Sequence, residues 1–286
     1  MTLYLQHPVG LDTPGVAAVM DELSLWSARF GLLLLEQVPV QPNMQILDLG
    51  CGTGFPTFEL AQLGGATCRV IGVDVWPDAL ARARSKASVY RLPNAHLVAA
   101  DGAGLPFPAA TFNLIVSNLG INNFADAGAA LAECFRVTKP GGRLALTTNL
   151  QGHMREFYDV FRATLQERNA GEYLERLTHH EQHRGTQESR GALVEGAGFR
   201  VVKRVEDQTC FRFVDGSALL NHFFIKLGFL DAWRGVVDPA DEQTIFATLE
   251  ARLNDTARRH GELRLTVPML YLEAIKPDTQ SGGAGA

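Results

Sequence analysis

Basic clusters are absent from this chain, and over 286 residues its formal net charge is −5. A nucleic-acid-binding face needs lysine and arginine gathered on one side, so that function class loses its support. Long apolar runs are scarce as well. The run "FGLLLL" (Phe30 to Leu35) is far shorter than the ~20 residues of a membrane-spanning helix, and it lies behind acidic residues, too far from the start for a signal peptide. No internal repeat stands out. The four cysteines, Cys51, Cys68, Cys134 and Cys210, share no metal-ligand or redox spacing. They read as free thiols of a cytoplasmic protein, with no metal expected. What remains is 46% apolar and 20% charged residues, the profile of a globular protein.

Along the chain a strand–helix alternation begins near residue 44. "MQILDLG" (44–50) is a short apolar run of the kind buried in parallel sheets. "CRVIGVDV" (68–75), "AHLVAAD" (95–101), "FNLIVSN" (112–118) and "RLALTTN" (143–149) read as further strands. Helices are expected at 56–63, 127–137 and 77–90, the last opened by Pro77. That rhythm implies an α/β fold, with a mostly parallel sheet and helices on both faces.

The chain divides by pattern into N-terminal helices at 1–43, a core at 44–150 and a helical segment at 151–198. A sheet-completing stretch follows at 199–276, with an insert at 208–262. Residues 277–286 read as a disordered tail. Pro268 predicts a bulge or an edge position in the final strand. Residues 216–230 are expected to form one helix, with Leu219, Leu220, Phe223, Phe224 and Leu227 on one side and Ile225 and Phe229 elsewhere.

The stretch "ILDLGCGTG" (46–54) holds the functional question. Glycines after a strand allow positive φ and close approach of a ligand to main chain, and ligands bind at the carboxyl ends of strands in such sheets. The spacing is G-x-G-x-G rather than the dinucleotide G-x-G-x-x-G. Asp74 ends the second strand about 20 residues on, where a carboxylate accepts from ribose hydroxyls. Asp101 ends the third strand. Asp48, two residues before the first glycine, suits a cationic group.

"ILDLGCGTG", "VIGVDV", "AADGAGLPF", "FNLIVSNLGINNF" and "VTKPGGRLALTT", taken in order, resemble the nucleotide-site segments of class I S-adenosylmethionine-dependent methyltransferases. The likeness is greatest to the branch that includes ubiquinone and menaquinone methyltransferases. It covers roughly residues 44–150, with the sheet completed after 199. The resemblance implies a Rossmann-like seven-stranded sheet and S-adenosyl-L-methionine as cofactor. It sets Asp48 toward the methionine amino group, and Gly50, Cys51 and Gly52 against the methionine and ribose. Asp74 then holds the ribose hydroxyls, and Val75 or Trp76 packs on adenine. Asp101, Gly102 and Ala103 border the adenine edge, and Asn118, Leu119 and Gly120 lie beneath the methionine. The family's usual Asp at position 113 is Asn here, at a position that supports the fourth strand.

The expected partner is a small, partly apolar methyl acceptor, drawn in by the segments added to the common sheet. The sequence does not set the oligomeric state. His153, just past the fifth strand, and His222, inside the aromatic stretch, are the candidates for a base or an acceptor-positioning group. His179 and His183 in "HHEQH" lack the zincin order and read as a solvated helix face. Two rivals stay open: an NAD(P)-dependent oxidoreductase on the same kind of sheet, and a non-catalytic regulator that keeps the cofactor site.

Overall fold

The computed structural model describes residues 2–6, 10, 12–13, 15–19, 26–168, 170–182 and 184–278. The expected tail at 279–286 and the helical reading of 20–25 lie outside the described residues. Seven strands form one sheet in the order β3-β2-β1-β4-β5-β7-β6. These are β1 (Gln45–Leu49), β2 (Arg69–Asp74), β3 (Ala95–Ala99), β4 (Phe112–Asn118), β5 (Thr138–Asn149), β6 (Arg200–Phe213) and β7 (Leu263–Ile275). β1 pairs in parallel with β2 and with β4, and β2–β3 and β4–β5 are parallel too. β7 runs against β5: Gly141 N donates to Lys276 O at one end and Leu150 N to Pro268 O at the other.

Among the described residues the first helices are α1 (Leu3–Gln6), α2 (Val16–Val19) and α3 (Ser27–Gln37). The crossovers carry α4 (Thr57–Gly64), α5 (Pro77–Tyr90) and α6 (Ala127–Val137). Pro77 takes the first turn of α5, where its missing N–H leaves no hydrogen bond unmade. Asp126 caps α6 by accepting from Ala129 N at 2.9 Å. After β5 come α7 (Arg155–Glu167), α8 (Leu174–Gln182) and α9 (Gln187–Gly196). Between β6 and β7 lie α10 (Gly216–Asn221), α11 (Phe223–Ile225), α12 (Asp231–Arg234) and α13 (Pro239–His260).

The chain forms two compact units. One comprises Met1–Val16, Asn149–Thr186 and Asp207–Pro268; the other comprises Ala17–Thr148, Gln187–Glu206 and Met269–Ala286. In the second, sheet-centred unit, Ile46, Leu47, Asp48 and Leu49 are all buried. A strand covered on both faces has no need of a polar alternation, which is why "ILDL" reads as a continuous run. Asn113 supports the strands: its Oδ1 accepts from Gln45 N and from Lys139 Nζ, each at 3.0 Å.

In the first, helical unit, α13 packs against α7 and α10. Gly216 lets α10 approach closely, since a Cβ there would fall 2.3 Å from Leu253 Cβ. Phe157 and Trp233 stack at 3.9 Å, and Trp233 Nε1 donates to Tyr158 Oη at 3.1 Å.

Several expectations change. The aromatic stretch is not one helix. His222 takes an extended conformation (φ −63°, ψ 130°), and Lys226–Leu230 widens into a π-turn. The extended residue resets the rotational phase, so Ile225 becomes fully buried while Phe223 is 42% exposed. β6 runs unbroken from Arg200 to Phe213, so the strand continues into the stretch set apart as an insert from 208. β7 passes straight through Pro268 and is an interior strand by order. Pro268 is tolerated because it stands where β5 ends.

Candidate functional site

Strand order reverses between β1 and β4, since the chain runs β1-β2-β3 outward and returns beside β1. Ligands bind at the carboxyl ends of strands at such a point. There the loop after β1 holds Gly50, Gly52 and Gly54 at φ 79°, 50° and 106°, all left-handed. Gly50 N and Cys51 N both donate to Val73 O, at 2.8 and 3.0 Å, which pins the loop to the end of β2.

The three glycines do different jobs. A Cβ on Gly50 would lie 3.3 Å from Gly120 Cα, and one on Gly120 would lie 2.9 Å from Leu49 O. These two glycines let the β1 end and the β4 end meet at main-chain distance. A Cβ on Gly54 would strike the Phe58 ring at 2.1 Å. Gly52 alone has nothing within 4 Å of that position. Its missing side chain leaves open space.

Asp48 is fully buried in mid-sheet, between Gly72 of β2 and Val116 of β4. Its Oδ2 accepts from Thr57 Oγ1 at 2.6 Å, while Oδ1 is buried with no hydrogen-bond partner. Burial pushes this carboxyl up to about 7; the Thr57 hydroxyl works the other way, and the Asp74 charge raises it further. Gly72 makes room for this arrangement, because a Cβ there would lie 2.8 Å from Thr57 Oγ1 and 2.9 Å from Cys51 Sγ. Thr57 and Gly72 escaped the sequence reading. A glycine inside the apolar strand "VIGVD" is the signal that was there to use. The Cys51 side chain is buried, and burial lifts its thiol well above the ordinary range. Cys51 therefore offers the site main chain rather than sulfur.

Asp74 reaches the same loop. Its Oδ2 accepts from Gly52 N at 2.7 Å and its Oδ1 from Trp76 N at 2.9 Å. Each carboxylate oxygen keeps further lone-pair capacity for a hydroxyl donor. Beside it, Val75 is 64% exposed and Trp76 half-buried. Asp101 and Ala103 are exposed at the end of β3, and Asp101 Oδ1 accepts from Ala103 N at 2.9 Å. Gly102 is buried, and a Cβ there would fall 3.5 Å from Ala130 Cβ and 3.6 Å from Leu49, at ordinary contact distance.

Asn118 is engaged by the protein: Nδ2 donates to Ser27 O at 3.1 Å, and Oδ1 accepts from Thr147 Oγ1 at 2.7 Å. Its side chain ties α3 and β5 to the end of β4. Leu119 takes a left-handed φ of 65° and is buried. Asp48, Gly50, Gly52, Asp74 and Gly120 are thus gathered by β1, β2 and β4 at one sheet edge, with the β3 end carrying Asp101.

His153 and His222 belong to the helical unit. His153 is buried beside the Phe229 ring at 5.4 Å. Burial, then the charges of Arg184 and His180, holds its imidazole well below the usual value. Burial also lowers His222, whose Nδ1 is buried without a hydrogen-bond partner. His179 is exposed, and His183 lies outside the described residues.

A family model described as a methyltransferase domain matches residues 40–196. A demethylmenaquinone methyltransferase of Thermus thermophilus is 39% identical over 121 residues, 42% of this chain and 52% of that protein. A malonyl-[acyl-carrier protein] O-methyltransferase of Serratia marcescens is 32% identical over 158 residues, 55% of this chain and 59% of the other. The chain thus spans about half the length of the curated relatives it matches. Among solved structures, phosphoethanolamine N-methyltransferase 2 of Haemonchus contortus, in complex with S-adenosylhomocysteine, superposes with a TM-score of 0.52 at 17% identity. That match covers 87% of this chain and 53% of the other.

Proposed function

The chain belongs to the methyltransferase-domain family, and on that premise we propose that it transfers a methyl group from S-adenosyl-L-methionine to a small, partly apolar acceptor. One observation carries the reading. At the switch point a fully buried carboxylate keeps one oxygen without a partner, beside a loop whose central glycine faces open space. An orphaned buried acceptor calls for a donor, and an α-ammonium group is a charged donor of the right sign. The G-x-G-x-G spacing in place of the dinucleotide G-x-G-x-x-G, together with this acid, weighs against the oxidoreductase rival.

The residues fit the cofactor. Asp48 Oδ1 takes the ammonium, directly or through water, the spare lone pairs of Asp74 take the ribose diol, and exposed Val75 or Trp76 packs on the adenine. Asp101 and Ala103 border the base edge, while Gly102 and Asn118 support from behind. Leu119 and Gly120 present main chain. When bound, the cofactor supplies an electrophilic methyl on a sulfonium. The protein's share is then placement and exclusion of water, which in well-oriented systems lowers a barrier by about 7–11 kcal/mol. Acceptor choice is assigned to the segments the common sheet does not need, 1–43, 151–198 and the insert 208–262. His153 and His222, kept neutral by burial, are the groups assigned to receive a proton from an oxygen or carbon acceptor. The thiols support a reducing, cytoplasmic setting.

Calorimetric titration with S-adenosylhomocysteine and with NAD tests the cofactor. Saturable binding of the first and none of the second is expected, and the reverse would refute the reading. Methyl incorporation from labelled S-adenosylmethionine into a panel of quinols, phenols and amines identifies the acceptor.

The Asp48 carboxyl makes binding pH-dependent. Its folded-state value lies above the unfolded one, so the folded protein retains this proton between pH ~4 and ~7, and ionisation weakens the free fold across that window. A cationic ligand needs the ionised form. Affinity for S-adenosylhomocysteine is therefore expected to be level just above pH 7 and to fall toward tenfold per unit below it. Asp48→Asn should flatten that slope. Equal slopes in the two proteins would show that another group is responsible.

A further inference from the structure

β6 is the last strand of the sheet, and among the described residues it pairs only on its β7 side. It is 14 residues long and exposed over most of its length, with Val202 40% exposed. Proteins blunt such edges with charged side chains, lysine above all. Here the charges of both signs are arranged symmetrically: Lys203, Arg204, Val205, Glu206, Asp207. Lys203 and Asp207 are four residues apart, about 13 Å along a strand, and cannot pair within it. No ion pair of Arg204 or Glu206 occurs among the described residues either. Gln208 N–H donates to the carboxylate of the preceding Asp207 at 2.7 Å.

We propose that β6 is a self-complementary docking edge for a second copy of this chain, joined antiparallel about a two-fold axis at Val205. In that register Lys203 faces Asp207 of the second copy and Arg204 faces Glu206, twice each by symmetry. Val201 then faces Thr209, Val202 faces Gln208 and Arg200 faces Cys210, so no like charges oppose each other from 200 to 210. Directly opposed side chains have Cβ atoms about 4.5–5.5 Å apart, within ion-pair reach, and opposite charges there stabilise the pairing. An axis at Arg204 or at Glu206 would set like charges face to face, so the charges select one register. The inference is independent of the methyl-transfer reading.

An interface of one strand pair is narrow and belongs to the weak class. Sedimentation velocity over roughly 10–300 µM protein should show a concentration-dependent dimer that dissociates as salt rises. Lys203→Asp should raise the dimer dissociation constant at least tenfold, and Lys203→Asp with Asp207→Lys should restore it, because the swap rebuilds both contacts. In a Cys210→Ser background, Val205→Cys should cross-link on mild oxidation, since the paired Cα atoms fall in disulfide range. Val202→Cys should not, its two copies being about 20 Å apart. A monomer throughout overturns the proposal. So does a dimer indifferent to Lys203→Asp, or cross-linking that favours residue 202 over 205.

Discussion

Asp74→Ala is expected to weaken binding of S-adenosylhomocysteine by about 10²–10⁴-fold in titration calorimetry. Two ribose hydroxyls would lose a charged acceptor, and hydrogen bonds to charged groups contribute about 1.5–3 kcal/mol each, with 1.4 kcal/mol per decade of affinity. The substitution has a second consequence inside the protein. The carboxylate also accepts from Gly52 N and Trp76 N, so alanine loosens the loop that the ligand meets. Asp74→Asn separates the two effects. It keeps one carbonyl acceptor and should recover part of the affinity, along with most of the loop's order. An Asp74→Ala protein that binds as tightly as its parent would remove Asp74 from the site.

Gly52→Val should abolish saturable binding at ligand concentrations that saturate the parent, while the protein stays folded. Space is not the obstacle to folding, since nothing lies within 4 Å of a Cβ at this position. The added bulk enters the opening instead. The valine must adopt φ near +50°, a strain of about 1–2 kcal/mol for a left-handed L-residue, or a fall of roughly 2–8 °C in the thermal midpoint. Gly54→Val provides the contrast. A Cβ there meets the Phe58 ring at 2.1 Å, so that protein should lose stability first and binding only as a result. Parent-like binding by a folded Gly52→Val protein would mean that the open space beside the loop is not where the ligand sits.

Much of the sheet-centred unit could be read from residues alone. The helices at Pro77–Tyr90 and Ala127–Val137 and the strand Phe112–Asn118 fall where the patterns set them. Pro77 marks a helix start by its own covalent chemistry, and an apolar run of strand length between helices has few other uses. The helical unit was less legible. The stretch from Gly216 to Leu230 has helical composition throughout, and no residue in it announces the extended turn at His222. That break follows the approach of α10 to α13 through Gly216 and Leu253, and the burial of Ile225. Those contacts join residues far apart in the chain. The partners of Asn118 were hidden in the same way: its amide donates to Ser27 O, 91 positions away, and accepts from Thr147.

The sequence by itself determined the succession of strands and helices in the sheet-centred unit, the family, and the acids at the ends of β1, β2 and β3. Those features depend on periodicity and on residue identity at fixed offsets, which are local. Only the tertiary structure decided which glycine looks onto open space and which oxygen of Asp48 is left wanting a donor. Both depend on what distant main chain and side chains already occupy. Thr57 satisfies one lone pair of a buried carboxylate and Gly120 fills the room beside Gly50, and what they leave over is the candidate site.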